Sequence, residues 1–411
     1  MSTHLQLTFV NYRKDSYIVV EGKQNADRFF IIREGKVRIS KEVEIVAEEQ
    51  GDILGPGDFF GVISTMSSHS HIETALALTD VTLISVHKEQ YSSLIQNNTP
   101  VAMKIILQFS QRLRYLDEAL SRLTLKDKDT AELNPSHLYK VGEYYFKQNQ
   151  YNQAFYAYKQ YIAYSPKGAD VNSARERMMK IAVYVTDADL DRSSVNLNRT
   201  YPKNTMIFAE GETGNELYII QKGSVKIAKI IDNSEVLLAV LKTGDIFGEM
   251  ALLESKPRMA SAMAYEDCMV LAVNRNNFTH MISTQPQMIA RLTILLSERI
   301  WFIYKQLANT LINDPIGRMY DALLIQLEKN RISLEEAAPY TFDFGPKELA
   351  NMVGLAYNDA RPSLRKMLEN QRIFVDNDKI YATNIMEIVK QSGYYRKMEK
   401  MDKTRKDSRA S

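Results

Sequence analysis

Apolar and polar positions change period several times along the chain, and each change marks an element. Phe29-Phe30-Ile31-Ile32-Arg33-Glu34-Gly35-Lys36-Val37 is a short apolar run ending at glycine, and Leu217-Tyr218-Ile219-Ile220-Gln221-Lys222-Gly223-Ser224-Val225 repeats it. Runs of this kind, bounded by turn residues, predict strands joined in hairpins. The preceding stretch repeats as well, at an offset one residue longer. Tyr12-Arg13-Lys14-Asp15-Ser16-Tyr17-Ile18-Val19-Val20-Glu21-Gly22 reads like Tyr201-Pro202-Lys203-Asn204-Thr205-Met206-Ile207-Phe208-Ala209-Glu210-Gly211. Both copies then reach Gly-Asp and Phe-Gly, at Gly57-Asp58 with Phe60-Gly61 and at Gly244-Asp245 with Phe247-Gly248. Short strands punctuated this closely suit a small antiparallel barrel or jelly roll, so the repeat predicts two related β-rolls.

The period then becomes helical after each roll, from Val101 to about Leu125 (Ile105, Ile106, Phe109, Leu113, Leu116, Leu120) and from Met288 to about Ile312 (Ile289, Leu292, Leu296, Ile300, Ile303, Leu307). The apolar stripe of such a helix has to fold back on its roll or pair with the same helix of another subunit, which points to a homodimer. Between the two units, residues 134 to 167 change pattern again, with Asn134-Pro135 as a helix start and Pro166 as a stop. The spacing of Leu138, Gly142, Tyr145, Tyr151, Ala154 and Tyr158 resembles one tetratricopeptide repeat. Its aromatic residues read mainly as packing of the helix pair. A protein partner bound through residues 134–190 is the other use open to them.

Past Asp314-Pro315 the chain gives a helix from Pro346 to Val353, a glycine stop at Gly354, and a second helix ending at Leu368 or Glu369. Ile373-Phe374-Val375 and Lys379-Ile380-Tyr381-Ala382 then flank a turn, as in a wing. The predicted fold class is α+β multidomain. It has two β-roll (double-stranded β-helix or jelly-roll) domains with long trailing helices, a helical hairpin insert and a C-terminal winged helix. The boundaries are 1–128, 129–190, 191–312 and 313–395, with 396–411 as a basic, disordered tail.

Composition narrows the class. At 411 residues the chain is long enough for several cores, and 52 basic against 50 acidic residues exclude a wholly basic nucleic-acid coat. The single cysteine, Cys268, forms no internal disulfide, which fits a reducing, cytoplasmic compartment. No apolar stretch addresses the chain to a membrane. Walker, nucleophile-elbow, His-Glu-x-x-His and dinucleotide glycine motifs are all missing, so no enzyme is read, and His69 with His71 make a poor metal site.

The sharpest chemistry lies in Phe247-Gly248-Glu249-Met250-Ala251-Leu252-Leu253-Glu254-Ser255-Lys256-Pro257-Arg258-Met259-Ala260-Ser261. It offers backbone N–H groups after Gly248, an arginine able to fork onto phosphate oxygens, and a carboxylate able to accept a ribose hydroxyl. This run resembles the phosphate-binding cassette of cyclic-nucleotide-binding domains. The resemblance implies that Glu249 takes the ribose 2′-hydroxyl and Arg258 the cyclic phosphate. Amides near Gly248, Met250 and Ala251 and near Met259 and Ala260 would take the remaining oxygens. On the trailing helix, Ile303 and Tyr304, near Trp301, stand where relatives place base-facing residues. Met259 lacks the hydroxyl that would select guanine, so cyclic AMP is favoured, with cyclic GMP or a cyclic dinucleotide still open. No cofactor is implied. Aligning Phe60-Gly61 on Phe247-Gly248 puts Val62 at the carboxylate position and His71 at the arginine position, with Glu73 adding a negative charge where an anion would sit. That roll is expected to bind no ordinary cyclic mononucleotide.

The terminal helices resemble the helix-turn-helix of the cyclic-AMP receptor protein (Crp/Fnr-type) family of bacterial regulators, and the order of parts agrees. The resemblance implies a nucleotide-responsive regulator. Ligand in the second roll would move the helix around Tyr304 and reorient the winged helices of a dimer on DNA. Candidate DNA contacts are Lys347, Asn358, Asp359, Arg361, Arg365 and Lys366. Pro362 fits only a first helical turn, which places the start of the recognition helix near Asp359. Residues 346–411 carry fourteen basic and nine acidic residues, a balance of +5 that favours DNA, yet Asp376 and Asp378 sit in the wing. The alternative is a nucleotide-binding signalling protein that binds protein partners instead of specific DNA.

Overall fold

The computed structural model describes residues 8–23, 26–41, 52–124, 136–186, 197–231 and 234–410. The Asn134-Pro135 helix start lies outside them. The chain divides into two compact units, one holding Glu89–Tyr115 and Asp127–Leu296, the other Gln6–Lys88, Leu116–Lys126 and Ser297–Ser411. Both long helices, Thr99–Thr124 and Pro286–Thr310, cross from one unit to the other. Each unit therefore combines one roll with part of the helix that follows the other roll.

The predicted repeat appears as identical strand order. In the first roll Thr8–Tyr12, Val81–His87, Arg28–Glu34 and Phe59–Phe60 form one sheet, and Tyr17–Val19, Thr74–Ala77, Val37–Ser40 and Ile53–Leu54 form the other. In the second, Asn198–Tyr201, Cys268–Asn274, Glu216–Lys222 and Ile246–Phe247 pair in the same order, as do Met206–Phe208, Ser261–Ala264, Ser224–Ile231 and Ser234–Lys242. All these pairs are antiparallel. Alternate residues of each strand face inward, and Ile32, Val37, Leu83 in one roll and Ile220, Val225, Val270 in the other close the cores.

In the unit of the second roll, helices His137–Lys147, Tyr151–Tyr164 and Val171–Ile181 pack on the roll itself. A Cβ at Gly142 would lie 2.6 Å from the Tyr158 ring, so glycine there sets how closely the first two helices approach. Tyr145 donates to the Glu235 carboxylate at 2.9 Å, Tyr156 to Glu212 at 2.9 Å, and the Gln153 amide to the Asn204 carbonyl at 2.7 Å. Met206, Ala209, Ala228 and Met263 of the roll share a core with Tyr145, Tyr158 and Tyr161.

In the other unit, helices Pro315–Lys329, Pro346–Met352, Tyr357–Leu368 and Ile385–Ala410 surround a sheet of Tyr340–Thr341, Lys379–Ala382 and Ile373–Asp376. Asp314 caps the first of these helices, accepting from Ile316 N–H at 2.7 Å ahead of Pro315 at the start. Two expectations change here. The helix holding Arg361 begins at Tyr357, ahead of Asp359, and takes Pro362 inside it. Ala360, Leu364 and Met367 are buried on one face, and that burial outweighs the single backbone bond proline removes. The basic segment from Arg396 onward is helical to Ala410. Arg396 pairs with the fully buried Asp321 at 2.6 Å and Glu399 accepts from the Asn313 side chain at 2.6 Å, which ties the helix down.

Ile105, Ile106, Phe109, Leu113 and Leu116, and likewise Leu292, Leu296, Ile300 and Leu307, are buried within the single chain.

Candidate functional site

The second roll turns at Gly248, whose φ of 74° suits glycine, into the short helix Glu249–Glu254, and the chain leaves that helix through Ser255. Arg258 follows just after a bridge between Thr213 and Pro257 and lies 4% exposed against the turn. Its guanidinium donates through Nη1 to the Gly248 carbonyl and through Nη2 to the Glu216 carbonyl at 2.7 Å. The Phe208 ring lies 4.1 Å from the guanidinium carbon. A Cβ at Gly214 would come within 2.4 Å of that carbon, and one at Gly248 within 2.6 Å of Nη1, so two glycines make the room the guanidinium occupies.

The charge of Arg258 is not neutralised by the groups around it. Glu216 offers it only a main-chain oxygen, because the Glu216 carboxylate is held by Arg199 at 2.7 and 2.8 Å. Among the described residues Arg258 has no ion pair, and its Nε is buried without a hydrogen-bond partner. A buried cation in this condition is costly until an anion reaches it. Burial holds the Tyr218 phenol well above its usual range, and the positive charge of Arg258 works in the opposite direction.

The other residues expected in the cassette are gathered here. Phe247 stacks with Tyr218 at 5.2 Å, Glu249 is 2% exposed, and Met250 and Ala251 are buried beside it. Met259 and Ala260 are half-buried, and the Ser261 hydroxyl accepts from Glu210 N–H at 2.9 Å. Ile303 and Tyr304 are placed differently. They are buried in the unit of the first roll, where the Tyr304 hydroxyl donates to Glu21 at 3.1 Å, because the helix carrying them changes unit at Ser297.

A different helix meets the second cassette. From Thr99–Thr124, Ser110 donates to Glu254 at 2.7 Å, and Arg114 reaches Glu254 with Nε at 2.8 Å and the Pro257 carbonyl with Nη1 at 3.2 Å. Arg114 and Glu254 form a buried ion pair that ends the cassette helix. Sequence reasoning missed Ser110, Arg114 and Gly214. The glycine in Gly211-Glu212-Thr213-Gly214 was a usable signal, whereas nothing local in the helix marks Arg114.

In the first roll Gly61 takes the same left-handed turn, with Val62 and His71 in the two key positions. Burial holds the His71 imidazole below its ordinary pKa, against the opposing charge of Glu73. At the far end of the chain, Lys347, Asn358, Asp359, Arg361, Arg365 and Lys366 are all exposed, the last five on one helix whose other face is buried. Arg361 lies over the Tyr357 ring at 5.7 Å. No group of three or more His, Cys, Asp or Glu side chains able to hold a metal occurs among the described residues. No helix there is long and apolar enough to cross a membrane.

Residues 9–98 and 198–285 each match the cyclic nucleotide-binding domain family. Over 165 residues, 40% of this chain and 74% of the relative, it is 29% identical to a CRP-like cAMP-activated global transcriptional regulator of Mycobacterium tuberculosis. Over 188 residues, 44% of this chain and 89% of the relative, it is 28% identical to the cAMP-activated global transcriptional regulator CRP of Pasteurella multocida. Among solved structures it is similar to the catabolite activator protein of Thermus thermophilus, at 25% identity over 48% of this chain and 90% of that one, with a TM-score of 0.27.

Proposed function

We propose that the protein is a cyclic-nucleotide-responsive transcription regulator that holds its ligand in the second roll and binds DNA through a C-terminal winged helix. One observation carries the ligand half: a buried guanidinium, Arg258, with an unpartnered Nε and no ion pair among the described residues, in a turn that matches the cyclic nucleotide-binding family. A cyclic phosphate brings the missing negative charge and accepts from the guanidinium, and Glu249, the first residue of the cassette helix, is the carboxylate to take a ribose hydroxyl. The base would meet the Thr99–Thr124 helix, whose Ser110 and Arg114 reach the cassette. Cyclic AMP is the first ligand to try, since the relatives named above are cAMP-activated.

Ligand binding acts on a regulator only through a difference in affinity between two arrangements. The element suited to carry that difference is the Thr99–Thr124 helix. Its Ser110 and Arg114 are fixed to the cassette, and it runs on as one helix to Thr124. Calorimetric titration of the purified protein with cyclic AMP, cyclic GMP and cyclic di-GMP, repeated on Arg258→Ala, tests the ligand half. Equal affinity in the variant would remove Arg258 from the site.

For the DNA half, the exposed face of Asn358, Arg361, Arg365 and Lys366 supplies both base-reading and phosphate-binding groups. Arg361→Ala with Arg365→Ala should weaken binding and lower the salt slope by about two. One observation favours a second reading, in which this module binds protein. The turn between Ile373–Asp376 and Lys379–Ala382 exposes Asp376 and Asp378, and Phe374 and Val375 beside it are also exposed. No DNA binding at low salt, with or without nucleotide, would favour that reading.

A further inference from the structure

The first roll keeps the cassette turn but fills it with groups of its own. Where the second roll presents an unpaired guanidinium, the Glu73 carboxylate, 6% exposed, accepts from Gly61 N–H at 2.7 Å. Over the same stretch lies Trp301, fully buried, its ring stacked on His69 at 3.9 Å with 17° between planes, and its Nε1 donating to the Ser70 carbonyl at 3.3 Å. Tyr304, one helical turn further on, donates to Glu21 at 3.1 Å. Arg331, just past the helix Pro315–Lys329, donates to the Ser67 carbonyl at 3.2 Å and pairs with Glu298 at 2.9 Å. Side chains from far downstream in the chain thus converge on the part of the first roll that corresponds to the cassette of the second.

We propose that the first roll is a binding site whose resident ligand is the chain itself: the Glu73 carboxylate replaces a phosphate oxygen at the Gly61 amide, and the Trp301 indole covers the cassette in place of a base. The clamp fastens the second long helix, and through Arg331 the helices after it, to this roll without any nucleotide. Electrostatics makes the exclusion firm. A cyclic phosphate entering here would meet the buried Glu73 carboxylate at the Gly61 amide, with Val62 and His71 in place of the two recognising side chains. Both rolls match the same family, yet only the second has an arginine at the cassette position that is His71 in the first.

The chain holds a single tryptophan, so Trp301 emission reports on this clamp alone. In full-length Arg258→Ala protein, whose second roll is disabled, titration with cyclic AMP or cyclic GMP should leave that emission unchanged, and a saturable change would overturn the proposal. Glu73→Ala should shift the emission to the red and abolish protection of the Gly61 amide in hydrogen exchange. Glu73→Gln keeps the acceptor oxygen and should restore both readings. His69→Ala should raise acrylamide quenching of Trp301 while leaving exchange at residues 248–261 as it was. Unchanged emission in both Glu73→Ala and His69→Ala would mean that no clamp exists. Absence of nucleotide binding by the second roll would leave all of these readings intact, so the two claims fail separately.

Discussion

At matching positions of the repeat, the second roll holds Arg258 against main-chain carbonyls with no carboxylate among the described residues paired to it, and the first holds His71 with the buried Glu73 close behind it in sequence. Around them the strand order is the same, the glycine turn has nearly the same φ, and the short cassette helix has the same length. The correspondence extends to the helices that meet them. Arg114 and Trp301 are separated along the chain by the same interval as His71 and Arg258. Each donates to the carbonyl that precedes the key position of its cassette, Arg114 to Pro257 at 3.2 Å and Trp301 to Ser70 at 3.3 Å. Fold and ligand chemistry are therefore separable here. Turns and alternating strands specify the roll, and a handful of charged side chains decide whether it takes a ligand or closes on itself.

The largest effect that would break this comparison is Arg258→Ala. Charge-assisted hydrogen bonds are worth about 1.5–3 kcal/mol each, so losing the fork to a cyclic phosphate should weaken nucleotide binding by about 100-fold or more. Isothermal titration reads it, and retained affinity would make the two rolls alike in function as well as in fold. A smaller effect sharpens the comparison of the helices. Arg114→Ala takes from the buried Glu254 carboxylate its closest cation, leaving Ser110 and the more distant Lys256, and loosens the end of the cassette, and nucleotide affinity should fall by about tenfold. Trp301→Phe, the change at the corresponding place, should leave that affinity unaltered while lowering the melting temperature.

The smallest effect is on pH dependence, and it belongs to the first roll alone. Burial pushes the His69 imidazole down to about 4, helped by the charges of Arg331, Lys305 and Lys88, so the folded protein keeps it neutral under Trp301. The unfolded chain takes up the proton near the ordinary 6.5. Stability from this site is thus full above 6.5 and is lost progressively as pH falls toward about 4. His71, also lowered, acts in the same direction. His69→Phe, which stacks but does not titrate, should flatten the decline in melting temperature over that window, and an unchanged decline would place the titration elsewhere.

Much of this was legible in the sequence because it is written in short range. Glu-Gly, Gly-Asp and Phe-Gly recur in the same order in both copies, so both rolls and the cassette could be placed, and the exchange of Arg for His at residue 71 was visible by alignment of the two copies. What escaped was long range. Arg114 meets its cassette, and Trp301 meets Ser70, across more than a whole domain of intervening chain, and no periodicity records which roll a long amphipathic helix will cover. Ile303 and Tyr304 were assigned to the roll that precedes them in the chain, whereas their helix changes unit at Ser297. The basic end looked disordered because charge density alone does not reveal the ion pair from Arg396 to Asp321. Pro362 moved the expected helix start because its first-turn preference was weighed without the buried face of Ala360 and Leu364.

Stoichiometry tests the central contrast most directly. Calorimetry of the full-length chain with cyclic AMP should give one nucleotide bound per chain, lost in Arg258→Ala and kept in Glu73→Gln. Two equivalents per chain, or one that survives Arg258→Ala, would contradict the assignment of the nucleotide site to the second roll and the self-closed one to the first.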